Sequence, residues 1–381
     1  MFPTTQPAAT TGRESLKSLL ERLARPMALS LDEGRGRVRC VACGHRCLIP
    51  EGAAGVCKVR FNRDGVLYGP RGYVAGLQDD PIEKKPFFHA FPGTRALSFG
   101  MLGCDFHCGY CQNWVTSQAL RDDAALAPPR RISAEEIVVH AKQLDALTVT
   151  STYNEPLITA EWAVEVFRLA RNAGLVTSFV SNGNNTPEVV DFLRPHLDLC
   201  KIDLKGFDDK RYRKLGGTLQ NVLDGIERIF NAGIWLEIVT LVVPGFNDSP
   251  EELRGLAGFI AEVSPDIPWH VTAFHPDYRM NETGGTPAAT LLRAAAAGKA
   301  AGLRYVYPGN LPGLVEGQEN TYCPHCAALL IERVGFAVRD YRLDGGNCPD
   351  CGAGIPGRWH SAETLPRMIK STRASVRRVH F

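Results

Sequence analysis

The central part of the chain alternates short apolar runs with amphipathic helical stretches. Strands are predicted at 96–101, 147–151, 175–180, 199–204, 235–243, 269–274 and 303–307. Helices are predicted near 133–145, 159–173, 186–194, 218–232, 249–262 and 287–301. Ser133 followed by Glu136 is a start signal for the first of these helices. The alternation predicts an α/β fold with a parallel sheet, either open or curled into a barrel.

Polar residues follow the predicted strands where each strand ends. They are Gly103 and Cys104, the run Tyr153-Asn154-Glu155, Asn182 and Gly183, Asp203 and Lys205, and His275. In parallel barrels the chemistry lies at the carboxyl ends of the strands, because the loops that follow them converge there. The sequence therefore predicts an active site along this rim.

Two cysteine-containing segments flank the predicted core at residues 91–312. Residues 1–30 are predicted to be a flexible tail with one amphipathic helix. Its helical spacing is carried by Leu16, Leu19, Leu20 and Leu23. Residues 31–90 are rich in Gly and Pro, which is typical of a small module whose fold is set by metal rather than by an apolar core. Residues 313–381 form a second such module with a basic end.

The composition is that of a globular protein. Apolar residues make up 44% and charged residues 22% of the 381 positions. No window reaches the ~18 uninterrupted apolar residues of a membrane span, and no secretory h-region is visible, so we expect a cytoplasmic protein without a membrane partner. The formal charge of +2 is too small to indicate a nucleic-acid partner by itself.

Twelve cysteines in such a chain indicate metal rather than disulfides, because cytosolic thiols are kept reduced. Eleven of them fall into three tight groups. These are Cys40, Cys43, Cys47 and Cys57; Cys104, Cys108 and Cys111; and Cys323, Cys326, Cys348 and Cys351. Cys200 stands alone in an apolar strand and is interpreted as a small buried hydrophobe.

The central group has the spacing CxxxCxxC and directly follows the first predicted strand. Three thiolates on one short loop can hold three corners of a four-iron cubane cluster, which leaves one iron open for substrate chemistry. The alternative is a zinc loop that borrows a fourth ligand, such as His107.

This loop after the first strand of a barrel resembles the radical S-adenosylmethionine (SAM) superfamily. The resemblance implies a partial (β/α)6 TIM-like barrel, a 4Fe–4S cluster on Cys104, Cys108 and Cys111, and SAM bound at the open iron. It further implies reductive cleavage of SAM to a 5'-deoxyadenosyl radical that abstracts hydrogen from a substrate. Tyr110 matches the family's aromatic residue near the adenine, and its alternative is simple packing on the core.

The run Thr152-Tyr-Asn-Glu-Pro156 resembles the family's GGEP-type segment, which binds the SAM amino group. Glu155 is kept, whereas Tyr153 and Asn154 replace the glycines. Alone, Asn-Glu-Pro can also be a helix-start turn.

Two further segments resemble the Thr-Asn-Gly and Asp-Leu-Lys segments of pyruvate formate-lyase activating enzymes, which lie around the SAM methionine moiety and a nearby cation. Here they contain Asn182, and Asp203 with Lys205. Val180 stands where those enzymes have an aspartate. The alternative for Asp203 and Lys205 is a rim ion pair of little consequence.

Two histidines flank the sixth strand in a segment that resembles the family's SAM ribose contact. His270 and His275 are five residues apart and so lie on opposite faces of a strand. We expect His275, at the carboxyl end, to point inward. A structural role is the alternative for either histidine.

The outer cysteine groups are both predicted to bind metal. The two C-terminal CxxC pairs indicate a zinc ribbon or rubredoxin-like module, with an auxiliary iron–sulfur cluster or a single redox iron as the alternative. The N-terminal CxxCxxxCx9C group suits zinc or an electron-relaying iron–sulfur cluster equally, and His45 can replace one of its thiols.

The combination of these motifs over about residues 38 to 360 resembles the AmmeMemoRadiSam system radical SAM enzymes. It comprises the N-terminal cysteine segment, the linker Pro81-Ile-Glu-Lys-Lys-Pro-Phe87, the central loop, Thr-Tyr-Asn-Glu-Pro and the terminal Cys-Pro-x-Cys pair. The resemblance implies partner proteins of the Memo and AMMECR types and a reductant such as ferredoxin or flavodoxin. It does not identify the substrate.

Three functions remain open from the sequence. The leading hypothesis is a radical SAM enzyme that acts on a protein or a small molecule. A glycyl-radical-enzyme activase uses the same chemistry. The alternative from another class is a zinc-ribbon protein that binds nucleic acid through a basic tail containing Arg373, Arg377 and Arg378.

Overall fold

The computed structural model describes residues 15–311, 313–315, 317–361, 364–365 and 377–378. Its α-helices in this part of the chain are α1 Leu16–Leu23, α2 Trp114–Ser117, α3 Ala134–Gln143, α4 Ala160–Asn172, α5 Pro187–Leu193, α6 Asp209–Leu215, α7 Leu219–Asn231, α8 Pro250–Val263 and α9 Ala288–Ala300. Short 3-10 helices cover Ile82–Lys84 and Pro156–Thr159. Among these described helices, none combines the length and the apolar character needed to cross a bilayer.

Small strands precede the central sheet. They are β1 Arg25–Pro26, β2 Ser30–Asp32, β3 Val38–Cys40, β4 Leu48–Ile49, β5 Phe61–Arg63, β6 Val66–Gly69 and β7 Tyr73–Val74. The remaining strands are β8 Gly76–Pro81, β9 Arg95–Gly100, β10 Arg130–Arg131, β11 Thr148–Ser151, β12 Val176–Ser181, β13 Leu199–Asp203, β14 Trp235–Val242, β15 Trp269–Ala273, β16 Val306–Gly309, β17 Thr321–Tyr322, β18 Leu329–Val334, β19 Ala337–Tyr341 and β20 Arg377–Arg378.

The central sheet is mixed and largely parallel. Its strand order is β16-β15-β14-β13-β12-β11-β9-β8-β20. The seven strands from β9 to β16 in this order are parallel, whereas β8 and β20 pair antiparallel at the other edge. The predicted α/β fold and each of the seven predicted strands are confirmed. The strand count of a partial barrel stays a prediction.

The predicted helices form where their start signals stand. At α3 the Ser133 hydroxyl accepts the N–H of Glu136 at 3.1 Å, and the Glu136 carboxylate accepts the N–H of Ser133 at 2.7 Å. The short helix α6 was not predicted, because its mostly polar residues bury only Tyr212 and Leu215 and give little apolar periodicity.

Residues 15–30 are not the flexible tail that the sequence predicts. Leu20 and Leu23 of α1 are buried, as are Met27 and Leu29 beyond it, and all four belong to the main hydrophobic core. The apolar face that predicted the helix needs an apolar surface, and this core supplies it. Residues 1–14 lie outside the described residues.

The sheet also takes in part of the predicted N-terminal module at 31–90. Within that range β8 pairs along its whole length with β9, so Asp80 and its neighbours belong to the central sheet. The division into domains stays a prediction.

The C-terminal strands β17, β18 and β19 form a small antiparallel sheet under the amino ends of β14, β15 and β16. Its buried contact cluster includes Phe88, Tyr305, Tyr307, Leu330 and Ile331. The Arg333 guanidinium donates to the Phe88 carbonyl at 2.7 Å and lies over the Phe88 ring, 4.4 Å from its centroid. The C-terminal module therefore lies at the end of the sheet opposite to the carboxyl ends of the strands. Arg373 of the basic tail lies outside the described residues.

A buried glutamate near this junction makes stability depend on pH. Burial raises the pKa of Glu83 to about 7, although Arg333 opposes the shift. One carboxylate oxygen accepts the N–H of Gly93 at 2.7 Å, and the other has no hydrogen-bond partner among the described residues. Folding thus favours the protonated carboxyl, so its stabilising contribution is full below pH 4.5 and is lost as the pH rises to about 7.

We expect Glu83→Gln to remove this dependence. The free energy of unfolding of the variant, minus that of the wild type, should rise by about 3 kcal/mol between pH 4.5 and pH 7 and stay constant above pH 7. Urea unfolding of both proteins across this range measures the difference, in which the contributions of other groups cancel. A difference that does not change with pH would contradict the assignment.

Candidate active site

A cavity of about 340 Å³ lies between one face of the parallel sheet and the loop that carries the central cysteines. The sheet contributes Val180, Lys201, Asp203, Val239, Leu241 and Thr272. The loop contributes Cys108, Tyr110 and Cys111. Among the predicted site residues, Tyr110, Asp203 and Lys205 therefore share one cavity with two of the three central thiols.

The cysteine loop runs from the end of β9 to α2 and is held close to the N-terminal segment. Gly103 has φ +94°, and a Cβ at this position would lie 2.9 Å from the Val59 side chain. Arg121, beyond the loop, donates to the carbonyls of Phe106 at 3.1 Å and Val56 at 2.6 Å. The loop is thus fixed by packing on both sides, as a cofactor site requires.

The chemistry of the three central thiols fits a metal cluster. Burial raises the pKa of Cys104, Cys108 and Cys111, and for Cys108 the value reaches about 12. Thiolates in such a place need cations beside them, and iron ligation supplies those cations. In the described part of the chain, groups of three or more ligand atoms within 4.8 Å of one another occur only in the C-terminal module. The three central thiols do not form such a group.

Glu155 and Asn182 lie behind the cavity wall in one hydrogen-bond network. The Glu155 carboxylate accepts the Ser181 hydroxyl and the Asn182 N–H, both at 2.7 Å. The Asn182 side chain donates to Asp105 at 2.7 Å. Burial and the charge of Asp105 raise the pKa of Glu155 to about 8. Contacts of Glu155 and Asn182 with SAM stay predictions.

Asp105 connects this network to the cysteine loop and was missed by the sequence analysis. It is buried, it follows Cys104, and it accepts the amides of both Asn182 and Asn184 at 2.7 and 2.8 Å. Gly183, between the two asparagines, has φ +77°, and a Cβ there would lie 2.7 Å from Ile202. The turn at residues 181–183 and the asparagine that follows it thus hold the cysteine loop in place through Asp105.

Asp203 forms ion pairs with two lysines. Lys205 lies 3.3 Å away, and Lys201, which the sequence analysis missed, is also bonded to it. Burial opposes ionisation of Asp203, but the two lysines outweigh it and hold its pKa at about 2. The sequence did contain a signal for Lys201, since residues 201 and 203 alternate along β13 and share a face.

Tyr153, which stands where the family segment has a glycine, has a backbone conformation that favours glycine. Its φ is +69°, in the left-handed region that is unfavourable for a tyrosine. The hydroxyl donates to Asp80 at 2.9 Å and lies 3.2 Å from the Lys85 ammonium. These contacts offset the backbone strain.

The two histidines of β15 differ from the expectation. His275 is exposed in the loop after the strand and does not line the cavity, because β15 ends at Ala273. His270 is buried and lies 2.7 Å from the Glu237 carboxylate, stacked on Tyr307. The cavity-lining residue of this strand is Thr272, so the inward orientation expected for His275 is corrected.

The four C-terminal thiols converge on one point. The Sγ atoms of Cys323 and Cys351 lie 3.6 Å apart, as do those of Cys326 and Cys348. Tetrahedral bonds of about 2.3 Å to a single ion place sulfurs about 3.8 Å apart, so the group fits one metal ion. The module therefore has a metal-binding cluster of four cysteines.

The N-terminal cysteines interact electrostatically, but in the described part of the chain they do not form a group of three ligand atoms within 4.8 Å of one another. The charges of Cys40 and Cys57 contribute to raising the pKa of Cys43, after burial and Asp105. Burial also raises the pKa of Cys57, to about 11. Zinc or an iron–sulfur cluster at this group stays a prediction. The predicted role of His45 also stays untested, and its ring packs edge-on against Phe106 at 6.4 Å between centroids.

Comparison with known proteins shows what this chain is similar to in sequence and structure. The model of the radical SAM superfamily matches residues 100–257. An uncharacterized protein of Methanocaldococcus jannaschii is 39% identical over 323 residues, which cover 84% of this chain and 95% of the relative. The pyruvate formate-lyase-activating enzyme of Clostridium pasteurianum is 25% identical over 202 residues, covering 50% of this chain and 81% of that enzyme.

A solved domain of a pyruvate-formate lyase-activating enzyme from Bacteroides vulgatus aligns with 42% of this chain and 98% of that domain, at 19% identity and a TM-score of 0.38. The superfamily match begins at Gly100 and contains all three central cysteines. Together with the relative that aligns over most of its length, it shows that the chain belongs to the radical SAM superfamily.

Proposed function

We propose that this chain uses Cys104, Cys108 and Cys111 to hold a 4Fe–4S cluster and cleaves SAM reductively in the adjoining cavity. The observation that carries the proposal is the cysteine loop itself, which follows the first parallel strand and places two of its thiols on the cavity wall. When bound, the cluster and SAM supply a 5'-deoxyadenosyl radical that abstracts hydrogen from a protein or small-molecule substrate.

Two residues of the chain, Tyr110 and Lys205, shape the cavity beside the cysteines and supply positive charge there. Tyr110 is buried edge-on against Phe246, with 5.5 Å between the ring centroids, and gives the cavity an aromatic wall beside the cysteines. Lys205 lies two residues beyond the end of β13, and its charge lowers the pKa of Cys108 against the larger effect of burial. Positive charge at this place favours the thiolate state that metal binding needs.

A glycyl-radical-enzyme activase is the second candidate, supported by the similarity to pyruvate formate-lyase-activating enzymes over half of the chain. It predicts a glycyl radical signal on a partner protein in electron spin resonance. Membership of an enzyme superfamily favours both candidates over the nucleic-acid-binding alternative. We also propose membership of the AmmeMemoRadiSam group, with Memo-type and AMMECR-type partners and ferredoxin or flavodoxin as reductant, on the motif combination described above.

For the C-terminal cysteines we propose a single zinc ion with a structural role. The sulfur spacing supports one ion, and the module packs at the amino ends of the strands, away from the cysteine loop. Metal analysis of protein purified without oxygen should find zinc beside iron.

The test of the main proposal is SAM cleavage. Protein reconstituted without oxygen with iron and sulfide, then given dithionite and SAM, should release 5'-deoxyadenosine. The Cys104→Ala protein treated in the same way is the control. Equal release from both proteins, or none from the wild type at full iron content, would overturn the proposal.

A further inference from the structure

The cavity that begins at the cysteine loop also contains a group of lysines. Lys84, Lys85, Lys201 and Lys205 line it, and Asp203 is the one carboxylate that lines it among the residues that the structure describes. A second carboxylate, Asp80, is fully buried behind the wall, where it bonds to Lys84 at 3.0 Å and to Lys85. Four ammonium groups thus face two carboxylates, which leaves an excess of positive charge.

Two of these lysines are almost completely removed from bulk solvent. The side chains of Lys85 and Lys201 are 4% and 6% exposed. An ammonium group has three donors, and Lys201 uses one of them, on Asp203, among the described residues. Each carboxylate is shared by two lysines, because Asp80 bonds to Lys84 and Lys85 and Asp203 bonds to Lys201 and Lys205. The excess of positive charge in this largely buried wall therefore favours a bound anion.

Lys205 differs from the other three lysines in the groups on which its charge acts. The charge of Lys205 acts on Cys108 and Tyr110. Burial lowers the pKa of Lys85 to about 8, although the charge of Asp80 opposes this shift. The charges of Lys84 and Lys201 lower the pKa of Lys85 further. The charges of Lys84 and Lys201 therefore act together on Lys85, and Lys201 is joined to Lys205 through their shared partner Asp203.

Tyr153 supports Lys85 from a strained backbone conformation. Its strained backbone, with φ +69°, carries the hydroxyl to Asp80 and Lys85, and its ring lies 4.9 Å from the Lys85 ammonium. A glycine would avoid this strain but would leave Lys85 without this support. The strain is consistent with a functional position for Lys85.

We propose that Lys84, Lys85 and Lys201 bind a carboxylate or phosphate group of the substrate, an inference that rests on the radical SAM activity proposed above. The bound oxyanion lies beside these three lysines. The substrate carbon that loses hydrogen then lies between the lysines and the cysteine loop.

Oxyanion binding to the reconstituted full-length protein, with SAM present, tests this inference. Phosphate and acetate are titrated calorimetrically at constant ionic strength, and the tighter probe identifies the group. We expect saturable binding that is weakened at least about tenfold in Lys85→Met and in Lys84→Met. Lys84 is about a third exposed, so the second variant is the safer one for folding. Lys142→Met, at an exposed position of α3, is the matched control and should bind as the wild type does.

Three outcomes would overturn the inference. They are no saturable binding of either probe to the wild type, equal weakening in the Lys142→Met control, and a loss of SAM affinity in Lys85→Met as large as the loss of oxyanion affinity. The last outcome would assign the lysines to SAM itself. Failure of the proposed function would be distinct, because it appears as missing 5'-deoxyadenosine release from the wild type rather than as missing oxyanion binding.

Discussion

Replacing Cys108 with alanine should remove the iron of one cluster per chain and reduce 5'-deoxyadenosine release to the background of iron-free protein. Cys108 is buried, lines the cavity and lies between the other two central cysteines in sequence. Removing one of three thiolates leaves two protein ligands, which cannot fix a cubane in one orientation toward the cavity. Iron content and product release are measured on the same reconstituted sample.

Cys200→Ala is the matched control for this experiment. Cys200 is equally buried, on β13, but it does not line the cavity and belongs to none of the three cysteine groups. We expect this variant to keep both its iron and its product release. If Cys108→Ala kept full release, or if Cys200→Ala lost its iron as well, the central trio would not be the site of the cluster.

Replacing Glu161 with alanine should lower the free energy of unfolding by about 3–5 kcal/mol at neutral pH. Arg60 is 1% exposed, and Glu161 on α4 is its carboxylate partner, with Nη1 at 3.0 Å from Oε1. The same oxygen accepts the N–H of Leu29 at 3.1 Å. The variant leaves a buried guanidinium that keeps the carbonyl of Ile158, at 2.8 Å, as its remaining oxygen partner among the described residues. Urea unfolding measures the loss.

Two controls separate this cause from a general effect of removing a carboxylate. Glu251→Ala breaks an ion pair whose side chains are 74% and 64% exposed, so it should leave stability unchanged. The double variant Arg60→Met with Glu161→Ala should be more stable than Glu161→Ala alone, because the unpaired charge is gone. If the double variant were the less stable of the two, burial of an unpaired charge would not be the cause.

The two predictions concern residues that differ in how far the sequence revealed them. The spacing of Cys104, Cys108 and Cys111 predicted a cluster loop without any structure, because cluster ligation by one loop depends on local spacing. Nothing in the sequence pairs Arg60 with Glu161, which are about a hundred positions apart and meet only through packing of the N-terminal segment on α4. A candidate site that depends on local spacing could therefore be proposed from the sequence, whereas the ion pair between Arg60 and Glu161 could not.

The sequence by itself determined the α/β class, the seven parallel strands with their helices, and the three cysteine groups. Each depends on a pattern of a few neighbouring residues, whether apolar periodicity, a capping signal or a ligand spacing. Tertiary structure alone decided that His275 is exposed. It also decided that Asp105 joins Glu155 to the cysteine loop through Asn182. The cavity that the cysteines share with Lys84, Lys85 and Lys201 likewise exists only in the folded chain. These arrangements bring distant segments together, and only the packing of the folded chain fixes which of their side chains meet.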